Sequence, residues 1–192
     1  MAIKTFTTGE VLTAADTNTY LANSGLVYIT SGSLSTATTD FVGCFTSTYD
    51  NYRIVITEPQ VSSAADIYFR LLDGTTPVAS GYYYVVLGAN VAGTIQNSFS
   101  GGAAANEVYT GWTTTAGGAG TEIGGLVFDI LSPKKAKRTT FTGSIMSYQT
   151  NWKSATTSAV HGDATACSGL RISTLTAATL TGTATIYGYR KP

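Results

Sequence analysis

Residues 180–189 alternate without a break. Leu180, Ala184 and Ile186 fall on one side, and Thr181, Thr183, Thr185, Tyr187 and Tyr189 fall on the other. A period of two belongs to a strand with one face in a core and the other toward water. The pattern recurs along the chain. Tyr52, Ile54 and Ile56 alternate with Arg53, Val55 and Thr57, and Pro59 is expected to end that strand. Ile67, Phe69 and Leu71 alternate with Tyr68, Arg70 and Leu72 up to the turn pair Asp73-Gly74. Residues 82–87, 107–112, 139–148 and 170–175 read as further strands, and Leu126, Phe128 and Ile130 share one face. Roughly eight strands with Gly-rich connections and no long helical pattern between them predict an all-β fold, an antiparallel β-sandwich of jelly-roll-like form. The same pattern excludes a parallel α/β sheet.

Composition bears on the surface of such a sandwich. Charged residues make up 11% of the chain, against roughly 25% in an ordinary domain. Hydrophobic residues are 43%, too many for a disordered chain. Threonine is the commonest residue, with 21 Gly and 12 Tyr. The outer faces are therefore expected to be polar through hydroxyls rather than charge. Ser/Thr/Gly residues 31–39 read as a linker, and the low-complexity stretches 98–105 and 113–120 as exposed loops. The formal net charge is zero, so no global field favours nucleic acid. The leading residues lack the apolar run of a signal peptide, and no stretch approaches the roughly 18 apolar residues of a membrane span. The expectation is a chain made in a cytoplasm, with no membrane insertion.

The front differs from the rest. Thr13 followed by Asp16 is a capping-box-like start, with Asp16 also favoured at the positive end of a helix, and Asn23 or Gly25 is a stop. A helix over about 13–23 follows, with Leu12, Tyr20 and Leu21 as a narrow apolar stripe. Such a helix is marginal alone in water and needs something to dock on. Residues 1–30 are accordingly expected to be an attachment segment, and 31–192 the sandwich.

Reactive groups are sparse. His161 is the only histidine, and His161-Gly162-Asp163 is expected in a loop with no GxSxG motif elsewhere. One histidine and two distant cysteines fall short of a metal site, and Asp40, Asp50, Asn51 and Asp66 are too scattered for a calcium loop. No metal or cofactor is expected. Cys44 and Cys167 form one disulfide or serve as small buried hydrophobes. A glycosidase would need two facing carboxylates, for which Asp66, Glu107, Glu122 and Asp129 stand on strands or their ends, without a spacing that favours a pair. Lys134, Lys135, Lys137 and Arg138 form the only charge run. It reads as a solvated turn that blunts an edge, or as a contact to an anionic surface. Trp112 and Trp152 lie near loops, and Tyr82-Tyr83-Tyr84 puts Tyr83 opposite its neighbours. Such aromatics either complete a core or meet sugar rings and protein surfaces.

The segment GEVLTAADTNTYLANSGLVYI (9–29) resembles the N-terminal segment of tailed-bacteriophage virion proteins. The end, GTATIYGYRKP (182–192), is similar to the last strand of phage fibre-like and decoration-like proteins. FTSTYDNYRIVIT (45–57) and ADIYFRLLDG (65–74) are similar to early strands of their sandwich domains. The resemblance implies a structural virion protein, a homotrimer whose N-terminal segments join it to capsid, neck or tail proteins. A tail or head fibre that meets host surface polysaccharide is one form, and a capsid cement or decoration protein another. A glycan-active enzyme or lectin is the rival from a different class. The resemblance carries no catalytic residues.

Overall fold

A computed structural model describes residues 7–11, 13, 25–63, 65–111, 124–148, 152–175 and 177–191, with side chains for all of these except 96–104. The described residues form thirteen strands: β1 (Leu26–Leu34), β2 (Thr38–Phe41), β3 (Asn51–Val61), β4 (Ile67–Asp73), β5 (Thr76–Pro77), β6 (Tyr82–Asn90), β7 (Ile95–Ala105), β8 (Val108–Tyr109), β9 (Gly125–Leu131), β10 (Thr139–Tyr148), β11 (Trp152–His161), β12 (Gly169–Thr174) and β13 (Leu180–Tyr189). They build two antiparallel sheets. The larger runs β1-β13-β3-β9-β10-β11-β6-β7, and the smaller runs β2-β12-β4-β5 with β8 beside β4. Pairing is nested: β1 with β13, β2 with β12, β4 with β12 and β6 with β11. The expected all-β antiparallel sandwich is what forms.

The inward residues of each alternating strand make the core between the sheets. Ile54, Ile56, Leu126, Phe128, Ile130, Phe141 and Ile186 come from the large sheet, and Ile67, Phe69, Leu71, Leu170 and Ile172 from the small one, all buried. Phe69 meets Phe128 edge-on across the core at 5.2 Å between ring centroids. Tyr82, also buried, reaches from β6 to the small sheet, where its hydroxyl accepts the Leu71 N–H at 2.8 Å. Burying a phenol is costly unless its oxygen is bonded, so this contact helps to set how the sheets meet. The two cysteines are free and buried. Burial pushes the Cys44 thiol up to about 12 and the Cys167 thiol up to about 11, with smaller contributions from their neighbours.

Several sequence expectations are corrected. The linker expected at 31–39 is mostly strand, because β1 continues to Leu34 against β13 and β2 begins at Thr38. Edge strands need little apolar side chain when backbone pairing on one side holds them. Pro59 does not end its strand. β3 passes through it at a β-bulge, where Glu58 (φ 53°) and Pro59 together oppose Gly182 (φ 124°), between the pairs Thr57↔Thr183 and Gln60↔Thr181. A bulge is one of the few places a strand tolerates proline, and the opposing glycine accepts a φ closed to other residues. The supposed loop 98–105 belongs to β7, paired to β6. His161 lies at the end of β11, a strand that the sequence reading passed over. The strand expected at 107–112 shrinks to β8. The expected helix at about 13–23 and the loop 113–120 lie outside the described residues, apart from a single residue, Thr13. Near the front, Thr7 and Glu10 close a turn: Glu10 N donates to the Thr7 carbonyl, and Thr7 N donates to Glu10 Oε2.

Candidate functional site

The outward face of the large sheet divides along β9. On one side, Arg53, Asp129 and Tyr189 form a network across three adjacent strands. Arg53 Nε and Nη2 each donate to an Asp129 oxygen at 2.8 Å, and the Tyr189 hydroxyl donates to Asp129 Oδ1 at 2.7 Å. Burial alone would raise the Asp129 pKa, but the bonds from Arg53 and Tyr189 and the Arg53 charge outweigh it and hold the group below its ordinary value. The Arg53 guanidinium also lies 5.5 Å from the Tyr189 ring centroid, and Tyr28 meets Tyr187 edge-on at the margin. The polar atoms here are used within the chain.

On the other side, the face carries no formal charge. The cross-strand rows read Val85–Ser158–Thr142, Leu87–Thr156–Ser144 and Ala89–Ser154–Met146. Tyr83, Val85, Leu87, Met146 and Trp152 stand out at 39%, 43%, 53%, 48% and 40% exposure. Trp152 packs edge-on against Tyr148, 5.4 Å between ring centroids. Beside it an open groove of about 600 Å³ is walled by Ala89, Val91, Met146 and Trp152, with Asn90, Lys153 and Ser154 also lining it. The sheet ends at β7, an eleven-residue strand without charge or proline. Proteins usually blunt such an edge with one or the other. The exposed apolar side chains form two clusters, Tyr83, Val85 and Leu87 on β6 and Met146 with Trp152, and the hydroxyls of Ser154, Thr156 and Ser158 on β11 lie between them.

The residues singled out from the sequence fall in different places. Leu12, Tyr20, Leu21 and Trp112 lie outside the described residues. Lys134, Lys135, Lys137 and Arg138 occupy the turn between β9 and β10, as expected, and two of them are engaged. Lys135 Nζ pairs with Asp50 at 2.7 Å, and Arg138 Nε donates to the Gly162 carbonyl at 3.1 Å. Lys191 takes the second Asp50 oxygen at 2.8 Å. The hydrogen bond from Lys135, then that from Lys191, holds Asp50 below its ordinary value. Trp152 sits on the apolar half-face. Tyr82 points inward and Tyr83 outward. The sequence reading missed Val85, Leu87 and Met146. The signal was available, because residues 82–91 are apolar at both parities and one parity must face away from the core.

Of the carboxylates considered for catalysis, Asp129 is held by Arg53, and Glu107 pairs with Arg70 at 3.0 Å. Asp66 lies beside Tyr68, where it adds to the burial that raises the phenol pKa. Glu122 lies outside the described residues. Asp40 forms a two-point pair with Arg171 at 2.7 Å on the small sheet. His161 is wholly buried against Tyr82, 4.9 Å between ring centroids. Among the described residues, no group of three or more His, Cys, Asp or Glu is placed to hold a metal ion, and no helix is long and apolar enough to cross a membrane. In comparisons with known proteins, the chain matches no family profile and no curated protein.

Proposed function

We propose that this chain is a non-enzymatic structural component of a bacteriophage virion. The residues ahead of β1 attach it, the expected boundary at 30 falling inside that strand, and the sandwich, of jelly-roll-like wrapping, is displayed as a trimeric fibre or appendage. The sequence of residues 9–29 supports the virion assignment. The observation that carries the assembly is the set of exposed apolar side chains Val85, Leu87, Met146 and Trp152 on a face otherwise covered by hydroxyls. In water such a face gains by burial at roughly 25 cal/mol per Å², and a second copy of the same chain offers the same chemistry. The carboxylates held in ion pairs and the buried histidine suit a protein that works by contact. The nested strand pairing supports the jelly-roll description.

Two measurements test this. Sedimentation of the full chain is expected to give a trimer, and a monomer at all accessible concentrations overturns the assembly. Removal of residues 1–25 is expected to leave a folded body that particles no longer incorporate, and normal incorporation overturns the attachment role.

A further inference from the structure

The turn between β9 and β10 and the bend after β11 meet at one end of the sandwich and enclose a cavity of about 280 Å³, lined by Gly81, Tyr83, Arg138, Val160, Gly162 and Asp163. Its wall presents a cation, a carboxylate and an aromatic ring together. Arg138 Nε donates to the Gly162 carbonyl, which fixes the guanidinium plane and leaves the terminal nitrogens for another acceptor. Gly162 N donates to the Gly81 carbonyl at 2.7 Å, so the backbone at the floor is satisfied. The Asp163 side chain is 65% exposed, and its Oδ2 lies 3.8 Å from Nε2 of His161. His161 is fully buried, with neither ring nitrogen hydrogen-bonded among the described residues. The space survives because Gly81, at φ 86°, has no side chain. A Cβ there would stand 3.0 Å from Asp163 Oδ2 and 3.1 Å from His161 Nε2.

We propose that this cavity binds a single sugar unit bearing a carboxylate, of the uronic acid type, within a polysaccharide. The volume suits one pyranose ring and lies just below the usual range for larger ligands. A guanidinium pinned through Nε offers a planar fork that matches a carboxylate at two points. Asp163 accepts hydrogen bonds from ring hydroxyls, and the half-exposed Tyr83 ring covers the C–H face. The Asp163 carboxylate repels any anion, so the ligand that fits turns its hydroxyls to Asp163 and its carboxylate to Arg138, and a phosphate has no hydroxyl face to offer. This inference rests on the cavity alone and survives if the chain proves to be a monomer.

The test is an NMR titration of the full chain with sodium glucuronate, glucose, glycine and inorganic phosphate. Glucuronate is expected to shift the amides of Gly81, Tyr83 and Gly162 and the Arg138 Nε–H, saturating in roughly the millimolar range. Glucose is expected to bind at least about tenfold more weakly, for want of the two-point contact. Arg138→Lys keeps the charge and loses the fork, so it should erase that preference, and Tyr83→Leu should weaken both sugars. Equal affinity for glucose and glucuronate overturns the proposal. So does a preference for glycine or phosphate, or the absence of saturable shifts at these residues. If Arg138→Lys disturbs the bend, Asp163→Asn replaces it and should weaken both sugars.

Discussion

The two halves of the large sheet's outer face are built on one continuous backbone and treat water differently. Between β13 and β9, Arg53, Asp129 and Tyr189 answer one another, so the charges of this half are met within the chain, while Tyr28 and Val127 stand exposed beside them. From β10 to β6, the outward positions hold hydroxyls interspersed with Val85, Leu87 and Met146, and these three side chains stand exposed among the described residues. A cross-strand ion pair at partly exposed positions contributes little to stability. Its larger effect is to make that half a poor surface for a partner, because association would have to strip water from charges. The contrast gives the molecule a direction. One half is finished and the other offers itself.

The most severe challenge to this picture is Phe128→Ala. Phe128 lies beneath the junction of the two halves and holds Phe69 of the opposite sheet. The change is expected to cost about 3–5 kcal/mol, measured by denaturant unfolding, in a single transition. Separate melting of the β10–β7 half would show that the halves are not one cooperative unit. Next in size, Val85→Glu with Leu87→Glu should weaken self-association by at least about 100-fold while shifting monomer stability by no more than about 0.5 kcal/mol. Thr183→Glu with Thr185→Glu on the finished half should leave the sedimentation profile unchanged. If both pairs act alike, the distinction between the halves fails.

Arg53→Met is smaller. Its side chain and that of Asp129 are 35% and 24% exposed, so solvent screens the pair and the loss is about 1 kcal/mol or less at pH 7. Because the folded Asp129 pKa is depressed, its contribution is present above the unfolded carboxylate value of about 3.9 and disappears as pH falls through the lower folded value. Wild-type and Arg53→Met stabilities, followed by urea titration, should therefore converge in acid. A constant difference down to the lowest pH would show that Arg53 acts by packing instead. The smallest signal concerns the thiols. With Cys44 and Cys167 pushed up to about 12 and about 11, alkylation at pH 8 should run at least about 100-fold slower in the native chain than in denaturant. Fast native labelling would mean that the core around the two buried thiols opens readily.

The sequence revealed most where one face was purely apolar. β10 and β13 emerged with their observed boundaries, because Phe141 and Ile145, or Ala184 and Ile186, alternate with residues that tolerate water. It revealed least where backbone pairing carries the strand. β7 joins the sheet through a Gly- and Ala-rich stretch whose small side chains carry no periodic signal, and the serines and threonines of β1 read as a linker. β11 was hidden because its inward residues, Ala155, Thr157 and Ala159, are small, and missing it misplaced His161. The cavity around Arg138 joins positions far apart in sequence through sheet register. Spacing along the chain does not reveal that kind of proximity.

β13 lies inside the large sheet, flanked by β1 and β3. During synthesis, those two strands leave the ribosome long before the one that joins them. Until residues 180–189 emerge, the nascent polypeptide exposes two unsatisfied edges at once, a state prone to wrong pairing. This sheet therefore cannot close until residues 180–189 have left the ribosome, and the interval before that is the moment of greatest risk for the molecule.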